Sequence, residues 1–377
     1  MAARDLLIVA GEASGDLHGA RLLAELTNLS PEVRAFGLGG DELAAAGLDC
    51  VAHSSEIAVV GITEALKILR RAKQIFDGLL AEVDRRGARA AILIDSPDFN
   101  LRLAKKLKAR GVQVIYYISP QVWAWRRGRV RLIRRVVDKM LVVFPFEADF
   151  YGHYEIDATF VGHPLIDEVP QLPQAWDTAV GEGEPFEIAI LPGSRRSEIE
   201  RMLSMFLAAA ERLAQQVPVR CSLIRAPTVS PGQLEAALAA VEVEIEVVAE
   251  QRFETIASCH LALCAAGTAT VEVGLLGTPM IVLYQVSAWT YFLAERLAHS
   301  PYASMVNLLL EREAVPELIQ QQAEPERIAQ QAVDLLGDRG RIDEMRASLA
   351  QLRKILGQPG ASRRAAEEVS RLLDRGA

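Results

Sequence analysis

Short runs rich in Val, Ile and Leu recur along the chain, each followed by a longer stretch whose apolar residues fall at helical spacing. In the first half the runs are Leu6–Ala10, Val33–Leu38, Ala90–Asp95, Val112–Ser119, Lys139–Phe144 and Thr159–Val161. Between them, Leu17–Leu29, Glu64–Arg85 and Leu101–Arg110 carry one apolar face. Parallel strands can be joined only by a crossover, most often a helix, so this alternation predicts βαβ units in a doubly wound sheet. The pattern breaks at Pro164, Pro170, Pro173, Pro185 and the polar run 181–184. It then resumes with strands predicted at Phe186–Leu191, Val219–Arg225, Val243–Val248, Leu261–Cys264 and Met280–Tyr284. The intervening helices are Ser197–Gln215, Pro231–Ala240, Phe253–Ser258 and Thr268–Leu276. A chain of 377 residues accommodates two such layers. The predicted division is residues 1–165 and 166–349. From Pro325 onward only helical patterns remain, and the last helix, about 350–377, is expected to pack back on the first domain or on a second subunit.

Composition narrows the function. The formal net charge of -8 disfavours a general nucleic-acid binder, which needs basic surface to neutralise phosphates. Cys50, Cys221, Cys259 and Cys264 have no metal-ligand spacing and read as small buried hydrophobes, so neither a metal site nor a cofactor is expected. The N-terminal apolar run is too short for a signal peptide, which predicts a cytoplasmic protein. Leu261–Tyr284 is apolar but is interrupted by Glu272, glycines and Pro279, against a membrane span.

Ligands of open parallel sheets gather at the carboxyl ends of strands, and four post-strand loops stand out. In Gly11–Gly19, Ser14, Gly15 and His18 lie where a helix opens, a place suited to a sugar; Ser14 or Asp16 could equally cap that helix. In Asp95–Asn100 an apolar strand ends in a carboxylate, Asp95, able to take a proton from a hydroxyl or, equally, only to tie down its own loop, while Asp98 is expected to cap the next helix. In Leu191–Ile199, Gly193 and Ser194 at a helix start, with Arg195 beside them, suit a diphosphate; Arg195 and Arg196 pairing with Glu198 or Glu200 is the alternative. In Ala265–Glu272, Gly267 and Thr268 suit phosphate, and Glu272, an acid in an apolar stretch, needs a partner such as a ribose diol or a neighbouring side chain. His163, in Gly162-His163-Pro164, is placed to face a cleft.

One stretch suits an anionic or greasy partner. Residues 126–135 hold six arginines next to Trp123 and Trp125. With Arg126 and Arg127 and with Leu66, Ile68, Leu69, Ile75 and Phe76 of the 64–85 helix, they predict a face for phospholipid or a phosphorylated sugar lipid. A core-facing helix with a solvated basic side is the alternative.

With these motifs in view, AGEASGDLHG at Ala10–Gly19, DSPDFN at Asp95–Asn100, SPQVWAWR at Ser119–Arg126, GHP at Gly162–Pro164, LPGSR at Leu191–Arg195, GTATVE at Gly267–Glu272 and NLL at Asn307–Leu309, the sequence resembles the lipid-A-disaccharide synthases. The motifs span nearly the whole chain, in the family's order. The resemblance implies a GT-B architecture, two Rossmann-like domains facing a cleft, on the inner membrane's cytoplasmic side as a peripheral protein. It implies UDP-2,3-diacylglucosamine as donor and 2,3-diacylglucosamine 1-phosphate as acceptor, joined β-1′,6 with inversion and release of UDP. Asp95 and Arg195 match the family's essential aspartate and arginine, and Thr268, Glu272 and Asn307 its nucleotide-side residues. A homodimer with exchanged C-terminal helices is compatible with the helical tail. Ala266 departs from the family, many members of which carry Ser there, so backbone amides must carry more of the phosphate contact. Two rivals share the architecture: a UDP-N-acetylglucosamine 2-epimerase type of isomerase, and a non-catalytic nucleotide-sugar or lipid-binding protein.

Overall fold

The computed structural model describes residues 4–375 apart from 57–64, 126, 178–180, 182, 195, 227–228, 231 and 287–300. The chain divides into two compact units, Met1–Pro164 with Leu356–Ala377, and Leu165–Ile355.

The first unit is built on β1 (Arg4–Ala10), β2 (Val33–Gly39), β3 (Asp49–His53), β4 (Ala90–Ile94), β5 (Gln113–Tyr117), β6 (Lys139–Val142) and β7 (Ala158–Phe160). Among the described residues these form one parallel sheet in the order β3-β2-β1-β4-β5-β6-β7. Helices cover both faces, which is why β4 is apolar and buried at every position rather than alternating. β3 escapes sequence prediction because DCVAH is short, partly polar and an edge strand.

Helix Ala13–Leu29 starts four residues before the predicted Leu17, so Ser14, Gly15 and His18 sit on its opening turns rather than in a loop. It buries Leu22, Leu23 and Leu26. The last helix, Ala361–Arg375, lies along it within the same chain, burying Ala361, Ala365, Ala366 and Val369. Alanines on that face let the two backbones approach closely. A Ser30–Ser370 hydrogen bond of 2.8 Å and the Arg364 Nε–H bond to the Val161 carbonyl, 2.8 Å, fix the register.

The second unit repeats the plan with β8 (Phe186–Leu191), β9 (Val219–Ile224), β10 (Ile245–Val248), β11 (Leu261–Ala265), β12 (Met280–Tyr284) and β13 (Glu317–Ile319). Among the described residues their order is β10-β9-β8-β11-β12-β13, again parallel. Only β13, three residues long, was not legible as a strand. Guanidinium groups tie the segment after the division to the late helices: Arg353 donates to the Val169 and Pro170 carbonyls, and Arg346 to Gln174 and Asp177.

Cys221, Cys259 and Cys264 are buried as expected of small hydrophobes, but Cys50, on edge strand β3, is exposed. Among the described residues no helix is long and apolar enough to cross a membrane.

Candidate functional site

In each sheet the strand order reverses at its middle, between β1 and β4 and between β8 and β11. Crossovers leave these points in opposite directions, so a crevice opens at the carboxyl ends there.

In the first unit the crevice brings the β1 and β4 loops together. A Cβ added at Gly15 would stand 3.5 Å from Ile94 Cγ2, ordinary contact, and one at Gly19 would meet Ile94 Cδ1 at 2.8 Å. Gly19 is thus the glycine that close packing requires, and Gly15 lies beside the residue that precedes Asp95. Asp95 and Ser96 both adopt left-handed backbone, φ 46° and 43°, before helix Pro97–Lys108 begins. Two consecutive non-glycine residues in that region cost about 1–3 kcal/mol each and persist only where neighbours over-determine them. Here the neighbours are explicit. The Asp95 carbonyl accepts the Tyr116 hydroxyl and the Asn100 amide (2.8 Å), Asn100 also donates to the Ile94 carbonyl (3.0 Å), and Asp95 N–H donates to the Tyr117 carbonyl (3.2 Å). Burial, and then the negative charge of Asp95, hold the Tyr116 hydroxyl far above its ordinary pKa, as a neutral donor. These bonds hold the turn through the Asp95 carbonyl and N–H.

Two acids near this edge have structural roles the sequence did not assign. Asp16 does not cap its own helix: 4% exposed, it accepts N–H bonds from Gly40 (2.6 Å), Glu42 (3.0 Å) and Leu43 (3.2 Å), capping the short helix Asp41–Ala45 after β2. Asp98 does not cap the helix it opens either, and pairs with Arg129.

His18 and His163 lie close enough to interact electrostatically. His163 is 6% exposed and packs on Phe144 with ring centroids 5.0 Å apart. Burial, and then Arg21, lower the His18 pKa to about 4; burial, and then His18, lower that of His163 to about 3. Both rings are neutral at pH 7 and present hydrogen-bonding atoms without charge. The unfolded chain would protonate both near pH 6.5, so it binds more protons than the folded chain and stability falls as pH drops from about 6.5 towards 3–4. The loss amounts to a few kcal/mol per ring. Chemical denaturation at pH 7 and pH 5 checks this: His163→Gln is expected to flatten the acid slope relative to the native chain, and an unchanged slope would contradict the assignment. Taking the difference isolates the ring from Glu147, whose pKa burial raises to about 7 and whose contribution has the opposite sign, lost as pH rises from 4.5 to 7.

In the second unit, adjacent β8 and β11 bring the loops at Pro192–Ser194 and Ala266–Thr268 to one edge. Gly193 has φ 117°, and its place for a Cβ is filled by Glu198 Oε2 at 2.7 Å; the same carboxylate accepts the Ser194 N–H at 3.2 Å. Arg195 and the side chain of Arg196 lie outside the described residues. Gly267, φ 145°, precedes helix Thr268–Leu276 with open space where a side chain would stand, and Gly267 and Thr268 are exposed. The Thr270 hydroxyl donates to the Gly267 carbonyl at 2.7 Å, bracing the turn. Glu272 finds a neighbouring side chain: Arg252 stands 3.4 Å away. Burial raises the Glu272 pKa and Arg252 opposes the rise. Asn307 is fully buried and saturated. Its amide donates to Val315 O and Glu317 Oε1 and accepts from Ala314 and Val315 N–H, which shapes the 304–317 turn.

The expected acyl-facing set divides. Ile75, 4% exposed, joins the first unit's core, and Phe76 packs on that core and edge-on against Phe99 at 5.6 Å, so both turn inward. Trp123, 8% exposed, is also interior. At Leu79, Leu80 and Val83 the helix Ala65–Arg86 continues the same buried face. The side chains of Leu66, Ile68, Leu69, Trp125 and Arg126 lie outside the described residues, and Arg127 is exposed.

Sequence reasoning missed Tyr116, a tyrosine inside an apolar strand, and Glu147, a glutamate three residues after Phe144 in a Pro-initiated helix. The helix-start spacing at Glu147 was a usable signal.

Residues 6–371 match the family described as Lipid-A-disaccharide synthetase. Lipid-A-disaccharide synthase of Anaeromyxobacter sp. (strain K) is 44% identical over 368 residues, covering 97% of this chain and 96% of that one. The Myxococcus xanthus enzyme of that name is 42% identical over 379 residues, covering 98% of each. Among solved structures, MurG of Acinetobacter baumannii superposes with TM-score 0.60 at 15% identity over 98% of this chain and 99% of its own. A putative UDP-N-acetylglucosamine 2-epimerase of Listeria monocytogenes gives 0.63 at 11% over 99% and 98%. These likenesses place the two units in the GT-B fold class. Carried by the near-full-length sequence match, the conclusion is that the chain belongs to the lipid-A-disaccharide synthetase family, glycosyltransferases of lipid A biosynthesis.

Proposed function

We propose that the chain transfers the sugar of UDP-2,3-diacylglucosamine to the 6-hydroxyl of 2,3-diacylglucosamine 1-phosphate. The Asp95 carboxylate takes the hydroxyl proton as the oxygen attacks the anomeric carbon. The bond from that carbon to the diphosphate breaks, its electron pair leaving with UDP, and inversion gives the β-1′,6 linkage. The observation that carries this reading is Asp95 itself, held at the carboxyl end of β4, at the switch point, by a clamp on its backbone.

The second unit takes the nucleotide. Gly193, Ser194, Gly267 and Thr268 supply backbone and hydroxyl donors to the diphosphate, which takes over the Ser194 N–H that Glu198 engages. Arg195 offsets the charge developing on the leaving group, and Glu272 binds the ribose. The first unit takes the acceptor, with Ser14, Gly15, His18 and His163 beside the sugar. Leu66, Ile68, Leu69, Trp125, Arg126 and Arg127 meet acyl chains and the anionic inner-membrane surface, which makes the protein peripheral on its cytoplasmic side. A homodimer is compatible with this arrangement, although the last helix already has its place on its own chain.

The test is UDP release by purified protein given the donor, with and without the 1-phosphate acceptor, in detergent and excess EDTA, with product mass recorded. Acceptor-dependent release and a tetraacyl disaccharide 1-phosphate are expected. UDP release or donor isomerisation without acceptor would transfer the assignment to an epimerase, and UDP binding with no turnover to a binding protein.

A further inference from the structure

Glu147 is a charged-type side chain that the reaction above does not use, yet it is 1% exposed and lies next to the machinery. It sits in helix Pro145–Gly152, after β6, and three donors converge on it. Its Oε1 accepts the Ser119 hydroxyl at 2.5 Å and the Trp123 indole N–H at 3.1 Å, and its Oε2 accepts the Phe144 N–H at 3.2 Å. The hydroxyl of Tyr151, on the same helix, adds a bond to the Pro120 carbonyl at 3.3 Å. Residues 119–123 are therefore pinned to this helix, and they are the exit of β5. Within four residues β5 and its exit touch both acids. Tyr116 donates to the Asp95 carbonyl, Tyr117 accepts the Asp95 N–H, Ile118 takes left-handed backbone at φ 60°, and Ser119 reaches Glu147. On the other side Trp123 meets Phe146 edge-on at 4.9 Å, Phe146 stacks on Phe144 at 5.8 Å, and Phe144 packs on His163.

We propose that Glu147 is a positioning residue for the transfer reaction, holding the β5 exit so that Tyr116 keeps Asp95 in its strained orientation and the Trp123–Phe146–Phe144–His163 wall stays in register. The role deepens the transferase reading and rests on it. Its physical basis is that an ionised carboxylate is an acceptor only, matching three donors, whereas a neutral acid or amide turns one of its own donors toward them. Burial opposes ionisation and raises the Glu147 pKa to about 7, so the matched form fills as pH rises through neutrality. The ionisable side chain beside it, Tyr151, is pushed upward by burial and stays neutral throughout.

The experiment compares the native chain, Glu147→Gln and Ser119→Ala. Glu147→Gln is expected to lower kcat about 10- to 100-fold, as misplacement of a reacting group does, with UDP affinity unchanged and the neutral-pH rise in kcat abolished. Ser119→Ala, which keeps the carboxylate and loses one donor, is expected to give a smaller loss of the same kind, and serves if Glu147→Gln does not fold. Independently of turnover, the Trp123 indole N–H resonance, assigned with Trp123→Phe, is expected to titrate near pH 7 in the native chain and not in Glu147→Gln. A Glu147→Gln protein, or where it is insoluble a Ser119→Ala protein, with native kcat and a native pH profile overturns the role. An inactive native chain instead overturns the transferase reading, and this role with it; the two failures are read in different proteins.

Discussion

Asp95→Asn is expected to reduce turnover by roughly two to four orders of magnitude, the range by which a positioned general base contributes, while UDP affinity stays at its native value. The substitution is a sharp one because of the backbone. Asparagine tolerates left-handed φ better than other non-glycine residues, so the 46° at this position is retained, and the clamp from Tyr116 and Asn100 acts on the carbonyl, which the change does not touch. What is lost is a carboxylate oxygen able to take a proton. Asp95→Ala would confuse this with backbone strain. Steady-state UDP release gives kcat and calorimetry gives UDP affinity. Turnover within a few fold of native would remove Asp95 from the role of base.

Gly37→Ala is expected to have the largest effect on folding. Gly37 lies in β2 opposite Ile8 of β1, in a part of the sheet where Ile8 is fully buried. A Cβ there would stand 2.0 Å from the Ile8 carbonyl oxygen and 3.0 Å from its carbon, and φ is 149°. The atom it meets is backbone of a central strand, so relief requires parting β1 from β2. A loss above about 4 kcal/mol is expected, a large share of the 5–15 kcal/mol that holds a domain together, and the protein should be recovered unfolded or insoluble. Gly47→Ala is the control: φ is 100° but nothing lies within 4 Å of the added atom, so only backbone strain is felt, about 1 kcal/mol. Equal thermal midpoints for the two variants would contradict the argument.

Gly37 was not visible as special in the sequence, and the reason separates what the chain encodes locally from what it does not. Period is local: apolar spacing of two or 3.6 is set by neighbours a few residues away, so Phe186–Leu191, Thr268–Leu276 and Met280–Tyr284 were read with the bounds they have. Short edge strands carry too little period, and β3 and β13 were missed. The site was legible as motifs, because glycine loops and a strand-tip carboxylate are local too: Asp95, Gly193 and Gly267 stand at the carboxyl ends where parallel topology puts them.

Partnership was decided only in three dimensions. Asp16 caps a helix 25 residues away, Asp98 meets Arg129, Glu272 meets Arg252, and Asn307 spends its whole amide on its own turn. Ile75, Phe76 and Trp123 are greasy residues that a membrane and a core would both accept, and packing sent them inward. A side chain's type states what it can bond or bury, which the sequence determines; which donor, acceptor or cavity reaches it first depends on contacts made across tens to hundreds of residues, and those exist only once the sheets are closed.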